Sequence, residues 1–159
     1  MPASKVDLVA PNNHTSATVR IMDAADLEAS ISAPASVVQG AAETGSVTLT
    51  NHGPDAVHAR LRFVVCGAPT NFSPLDGLFC TGPVSNLTGT IFSYSCSTVG
   101  PPASGASAIA TFVFQPSPTA SSLTMTATAT KVGATVIDSN LLNNKQVVPV
   151  SITPPTHSG

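Results

Sequence analysis

Residues 57–65, VHARLRFVV, alternate apolar and polar side chains, and a period of two confines them to a strand with one dry face and one wet face. Val57, Ala59, Leu61, Phe63 and Val65 fall on the inner side, with His58, Arg60 and Arg62 opposite. Similar short runs, rich in Val, Thr, Ile or Phe, recur at 27–31, 46–50, 92–96, 108–114, 123–130 and 147–152. Clusters of Gly, Pro, Asn and Ser punctuate them. The one helix-like stretch, MDAADLEAS at 22–30, reads as a link into the first strand. A chain of 159 residues is long enough to bury a core. About seven strands with no amphipathic helix between them predict an all-β, antiparallel β-sandwich.

Charge narrows the function classes. Charged residues make up 9% of the chain and the net charge is −2. The basic residues Lys5, Arg20, Arg60, Arg62, Lys131 and Lys145 are dispersed along the sequence, without the positive footprint of a nucleic-acid groove. No nucleic-acid partner is expected. No apolar run is long enough to cross a bilayer as a helix, so membrane insertion is not expected either. The opening MPASKVDLVAPNNHTS lacks the apolar stretch of a secretory signal. The expectation is a chain whose signal has been removed, or one that leaves its cell by another route such as lysis.

The stretch from Asp26 to Ile152, about four-fifths of the chain, resembles a known family. ADLEAS at 25–30, VTLTNHGPDA at 47–56, the LFC and YSC cysteines, PPASGASAIATFVF at 101–114, LTMTATAT at 123–130 and DSNLLNNKQVVPVSI at 138–152 follow one another in its order. The family is the DUF11 or conserved-repeat domain of bacterial surface proteins and phage appendages. The resemblance implies an immunoglobulin-like sandwich, use in tandem arrays or on particles, and no defining catalytic activity.

The motifs also have readings of their own. In TNHGPDA, Asn51 and Gly53 suit left-handed backbone angles and Pro54 fixes the turn. In DSNLLNN, the side chains of Asp138, Asn140, Asn143 and Asn144 suit bonds to neighbouring amides that position the last strand. The same oxygens suit a calcium ion, but the cluster has a single carboxylate and lacks the EF-hand spacing. Turn capping is the expected role, and no metal is expected. Cys80 and Cys96 flank a Gly/Pro/Asn segment and suit a hairpin-closing disulfide, worth about 3 kcal/mol. Such a bond fits work outside a reducing cytosol. Cys66 is then left over, and is expected as a small buried residue.

Catalytic inventory is thin. His14, His52, His58 and His157 fall in turns, a strand face and the tail, and the acidic residues are scattered. No HExxH, GxSxG or phosphate-cradling loop occurs, and Cys66 has no His close to it in sequence. No enzyme activity and no cofactor are expected. Glycosylation sequons at Asn13, Asn71 and Asn86 matter only for a chain secreted by a eukaryote. Residues 66–91, with Pro69, Phe72, Pro74 and Phe79, form a long loop that is either a contact patch or a Pro-stiffened crossover.

One feature sets the chain apart. APNNHTSATVRI at 10–21 reads like LLNNKQVVPVSI at 141–152. With Asp7 aligned on Asp138, Asn12 and Asn13 meet Asn143 and Asn144, Ala17 meets Val148, and Val19 and Ile21 meet Val150 and Ile152. Residues 6–21 therefore look like a spare final strand beginning at Val6. Two histories give such a strand: the tail of a preceding repeat in a tandem array, or an arm that adds to a sheet edge of its own or a neighbouring subunit. The organisation expected is an N-terminal arm (1–25), an immunoglobulin-like sandwich (26–153) and a C-terminal tail (154–159). The function expected is a structural module that docks through the arm and homo-oligomerises in an assembly. A virion surface is its leading setting, and a tandem-repeat cell-surface adhesin or stalk the alternative.

Overall fold

A computed structural model describes residues 14–68, 70–75 and 77–157. In chain order its strands are β1 (Asp23–Ala25), β2 (Leu27–Ser32), β3 (Ser36–Val38), β4 (Glu43–Asn51), β5 (Ala59–Cys66), β6 (Thr70–Pro74), β7 (Leu78–Ser85), β8 (Ile91–Thr98), β9 (Ser107–Phe114), β10 (Ser122–Lys131), β11 (Val136–Asp138) and β12 (Lys145–Thr153). No helix occurs among the described residues. One large sheet has the order β2-β4-β9-β6 and the other the order β3-β12-β10-β5-β8-β7, and β1 with β11 forms a third, two-stranded sheet. The first matches the A-B-E-D sheet of an immunoglobulin fold, and β12-β10-β5 matches its G-F-C sheet, widened by β8 and β7. The protein is an immunoglobulin-like β-sandwich. Its own variation is that β6 crosses to the four-stranded sheet before the β7–β8 hairpin returns beside β5.

Alternation explains the packing. β5 reads buried–exposed–buried–exposed along ARLR, and Leu61, Phe63 and Val65 are all sealed from solvent. β9 alternates in the same way, sending Ala108, Ala110, Phe112 and Phe114 inward. The sheets meet at an aromatic layer: Phe63 of β5 lies with its ring centroid 4.6 Å from Phe112 of β9 and 5.5 Å from Phe72 of β6. Such offset pairs stabilise beyond the area they bury. Gly45 makes room for this layer, since a Cβ there would lie 2.4 Å from the Phe112 ring. On one side the sandwich is closed by a backbone bond from Ala29 N to Asn143 O (3.1 Å) and by Ile31 N donating to Gln146 Oε1 (2.6 Å).

Three expectations change. The stretch 66–91 is not a loop: it holds β6 and β7, each an edge strand whose one-sided pairing left little alternation to read. Pro69 lies outside the described residues. Asp23–Ala25, placed with the arm, pairs in parallel with β11, and Ala25 is fully buried. Asn51 and Gly53 do not adopt left-handed angles. Asn51 is instead a buried anchor, and Gly53 is required because a Cβ there would lie 2.5 Å from the Ala25 backbone.

Candidate functional site

The anchor at Asn51 shows how the motif residues work. Its Nδ2 donates to Asp55 O (2.7 Å) and Pro102 O (2.9 Å), while Oδ1 accepts from Gly53 N (3.0 Å) and Asp26 N (3.4 Å). A buried amide satisfied on all sides locks the β4 end to two loops. Nearby, the closing turn is organised by Asp138, which is 9% exposed. Its Oδ1 accepts from Asn140 N (3.2 Å) and its Oδ2 from Asn144 Nδ2 (2.7 Å). Asn140 Oδ1 in turn accepts from Leu142 N (3.3 Å), and Asn143 Nδ2 donates to Asp26 Oδ1 (2.7 Å). The carboxylates thus hold neutral amides. The Oδ1 atoms of Asn143 and Asn144 are buried and accept no hydrogen bond. Among the described residues, no three His, Cys, Asp or Glu side chains converge as a metal site would need.

Cys80 and Cys96 face each other across the β7–β8 pair and are joined by a disulfide. Asn86 caps the turn of that hairpin, its Oδ1 accepting from Thr90 N (2.8 Å) and Ile91 N (3.0 Å). Cys66 is a free, half-buried thiol at the end of β5, while His58, just before the start of β5, contacts Thr98 Oγ1 at 3.4 Å. The strand separates the two. Phe72 and Phe79, paired in the expectation of a contact loop, part company. Phe72 stacks on Tyr94 at 4.7 Å and belongs to the core, whereas Phe79 is 67% exposed on the outer side of β7. The Tyr94 hydroxyl donates to Thr70 O and so links β8 to β6; burial raises its pKa above the ordinary value.

The arm splits likewise. Val6, Asn12 and Asn13 lie outside the described residues. Ala17, Val19 and Ile21 belong to no strand; Val19 is 81% and Ile21 88% exposed. Val150, the counterpart of Val19 in β12, is 1% exposed. A cleft of about 490 Å³ at one end of the sandwich is lined by residues such as Thr70, Phe92, Phe114 and Pro116, and none of its lining residues is titratable.

No family model matches the chain, and no curated protein matches it. Solved structures do. The chain is similar to the CARDB domain of a Pyrococcus furiosus protein, described in complex with di-metal ions, at 19% identity and a TM-score of 0.54, with 94% of this chain and 100% of that one covered. A solution structure of the same domain aligns at 19% identity and a TM-score of 0.52, covering 82% of this chain and 97% of that one. A cohesin module from a Clostridium perfringens family 33 glycoside hydrolase aligns at 15% identity and a TM-score of 0.54, covering 82% of this chain and 99% of that one. At these identities the likeness establishes the sandwich fold and nothing finer.

Proposed function

We propose that this chain is a non-enzymatic assembly module of an exposed surface, a virion decoration or appendage subunit, that docks by adding its N-terminal segment to a sheet edge of a second copy. One observation carries the reading: residues 14–21, the described part of a segment with the alphabet of the closing strand, belong to no sheet, and Val19 and Ile21 face water. Strand-type residues left unpaired gain by strand addition, since a partner supplies both backbone bonds and an apolar cover. The acceptor is β7, the eight-residue end strand of the six-stranded sheet on the side away from the Asn143 and Gln146 closure. The dispersal of His, Cys and acidic groups among the described residues favours a module without catalysis.

The test is the solution mass of the full chain and of a form lacking residues 1–22, measured by light scattering across a concentration series. The full chain is expected to self-associate and the shortened form to stay monomeric. Two monomers would sink the reading. The alternative setting, a repeat of a tandem surface protein, is favoured by the match between 10–21 and 141–152. There, segment 6–21 completes a preceding sandwich, so the isolated chain is monomeric and an added upstream copy buries Val19 and Ile21.

A further inference from the structure

Cations scattered in the sequence are gathered by the topology. Arg60 and Arg62 lie on β5, Lys131 ends β10 and Lys145 begins β12, all in the six-stranded sheet. None of that sheet's strands contains Asp or Glu. The four-stranded sheet is the reverse: it carries Glu28 and Glu43 and no Lys or Arg. Register then sets the outer-face neighbours. One row runs Lys145, Thr128, Arg62, Ser95, Thr81; the next runs Thr130, Arg60, Ser97, Phe79. All of these except Lys145 line a trough of about 610 Å³. Strand geometry sets the two guanidinium stems about 7 Å apart, and places Phe79 about 10 Å across from Arg60. Glu28, on the other sheet, is already in contact with His52, Oε2 to Nε2 at 2.7 Å. Arg62 contacts Ser93 Oγ through Nε (3.4 Å), so its terminal amino groups remain available.

We infer that this trough binds an acidic polysaccharide, a chain of carboxylate-bearing sugars. The planar forks of Arg60 and Arg62 match carboxylates in bidentate fashion. The Ser and Thr rows donate and accept at once, as the alternating hydroxyls of a sugar require. Phe79 offers the flat apolar surface on which a sugar ring rests, at a position where it seals no core. Nucleic acid fits less well. A duplex is held by more phosphate contacts than this sheet has cations, and a single strand needs successive aromatics where the trough has one. The positive face attracts a polyanion although the whole chain is net negative.

The experiment is affinity electrophoresis of the intact chain through gels containing polygalacturonate, neutral pullulan or a duplex DNA oligonucleotide. Polygalacturonate is expected to retard the protein, more weakly as salt rises; pullulan leaves it unretarded, and DNA retards it less. Arg60→Ala with Arg62→Ala is expected to weaken binding at least about tenfold and Phe79→Ala about fivefold. Glu28→Gln and deletion of residues 1–22 leave binding unchanged, which separates this site from the docking arm. Thermal melts confirm that each variant folds, and Arg60→Lys with Arg62→Lys, which keeps the charge but not the fork, still weakens binding severalfold. The inference is overturned by no retardation in polygalacturonate, by equal retardation of the double alanine variant, by equal retardation in pullulan, or by tighter binding to DNA.

Discussion

The outer faces of the two sheets are built alike and charged differently. Both are carpets of Ser and Thr: Ser30, Thr48 and Thr50 on one, Thr128, Ser95 and Ser97 on the other. Both cover the same core through the same alternation. The four-stranded face adds Glu28, already engaged by His52. The six-stranded face adds two arginines, a lysine and an exposed phenylalanine, with no acid on any of its strands. The inward positions of each strand specify the sandwich, and the outward ones are free to differ. The faces therefore diverge without cost to the fold, and that freedom is where recognition chemistry accumulates.

The largest loss is expected from inside the sandwich. Phe63→Ala, beneath the cationic face, removes a ring that touches Phe72 and Phe112 of the other sheet, and is expected to cost about 4 kcal/mol, read as a lower urea midpoint. Next, loss of the Cys80–Cys96 bond, through paired alanine substitutions, opens a link of sequence separation 16 and costs about 3 kcal/mol. Hydrogen exchange should then rise in β7 and leave the four-stranded sheet protected, since only the six-stranded sheet is stapled.

A smaller effect is expected at the tie between the sheets. Tyr94→Phe removes the hydroxyl that donates to Thr70 O, for about 1 kcal/mol. Burial raises the folded pKa of Tyr94, so its contribution is complete below the unfolded value near 10 and is lost as pH rises from there through the folded value. Urea midpoints from about pH 9 to about pH 11 should fall more steeply for the wild type than for Tyr94→Phe. Last, Arg62→Ala on the outer face should leave the midpoint unchanged while polyanion binding weakens. A large stability loss there would mean that the cationic face is structural after all.

Much of the sandwich was legible in the sequence, and its limits follow from what sequence can encode. The face Val57, Ala59, Leu61, Phe63, Val65 is buried throughout, because alternation over a central strand is a local signal. β6 and β7 were missed because edge strands pack on one side and tolerate Pro74, Gly82 and Pro83. The cationic row was invisible for a different reason: Arg62 and Lys145 become neighbours only through the register of β5, β10 and β12. The segment at 10–21 carries the converse lesson. Val19 and Val150 occupy matching positions in similar strings, yet one faces water and the other the core. An alphabet suited to strands is satisfied only where a partner edge is supplied.

The parallel pairing of β3 with β12 has a mechanical side. Ser36–Val38 and residues 151–153 run in the same direction, extended by Gln39 N to Thr153 O (2.9 Å) and Ser151 N to Ala35 O (3.0 Å). Tension pulling the two ends of the sandwich apart drags these strands oppositely along their lengths. Their bonds are then sheared as a group, not unzipped singly. A protein holding a load between its termini would stretch little until that clamp gave way all at once.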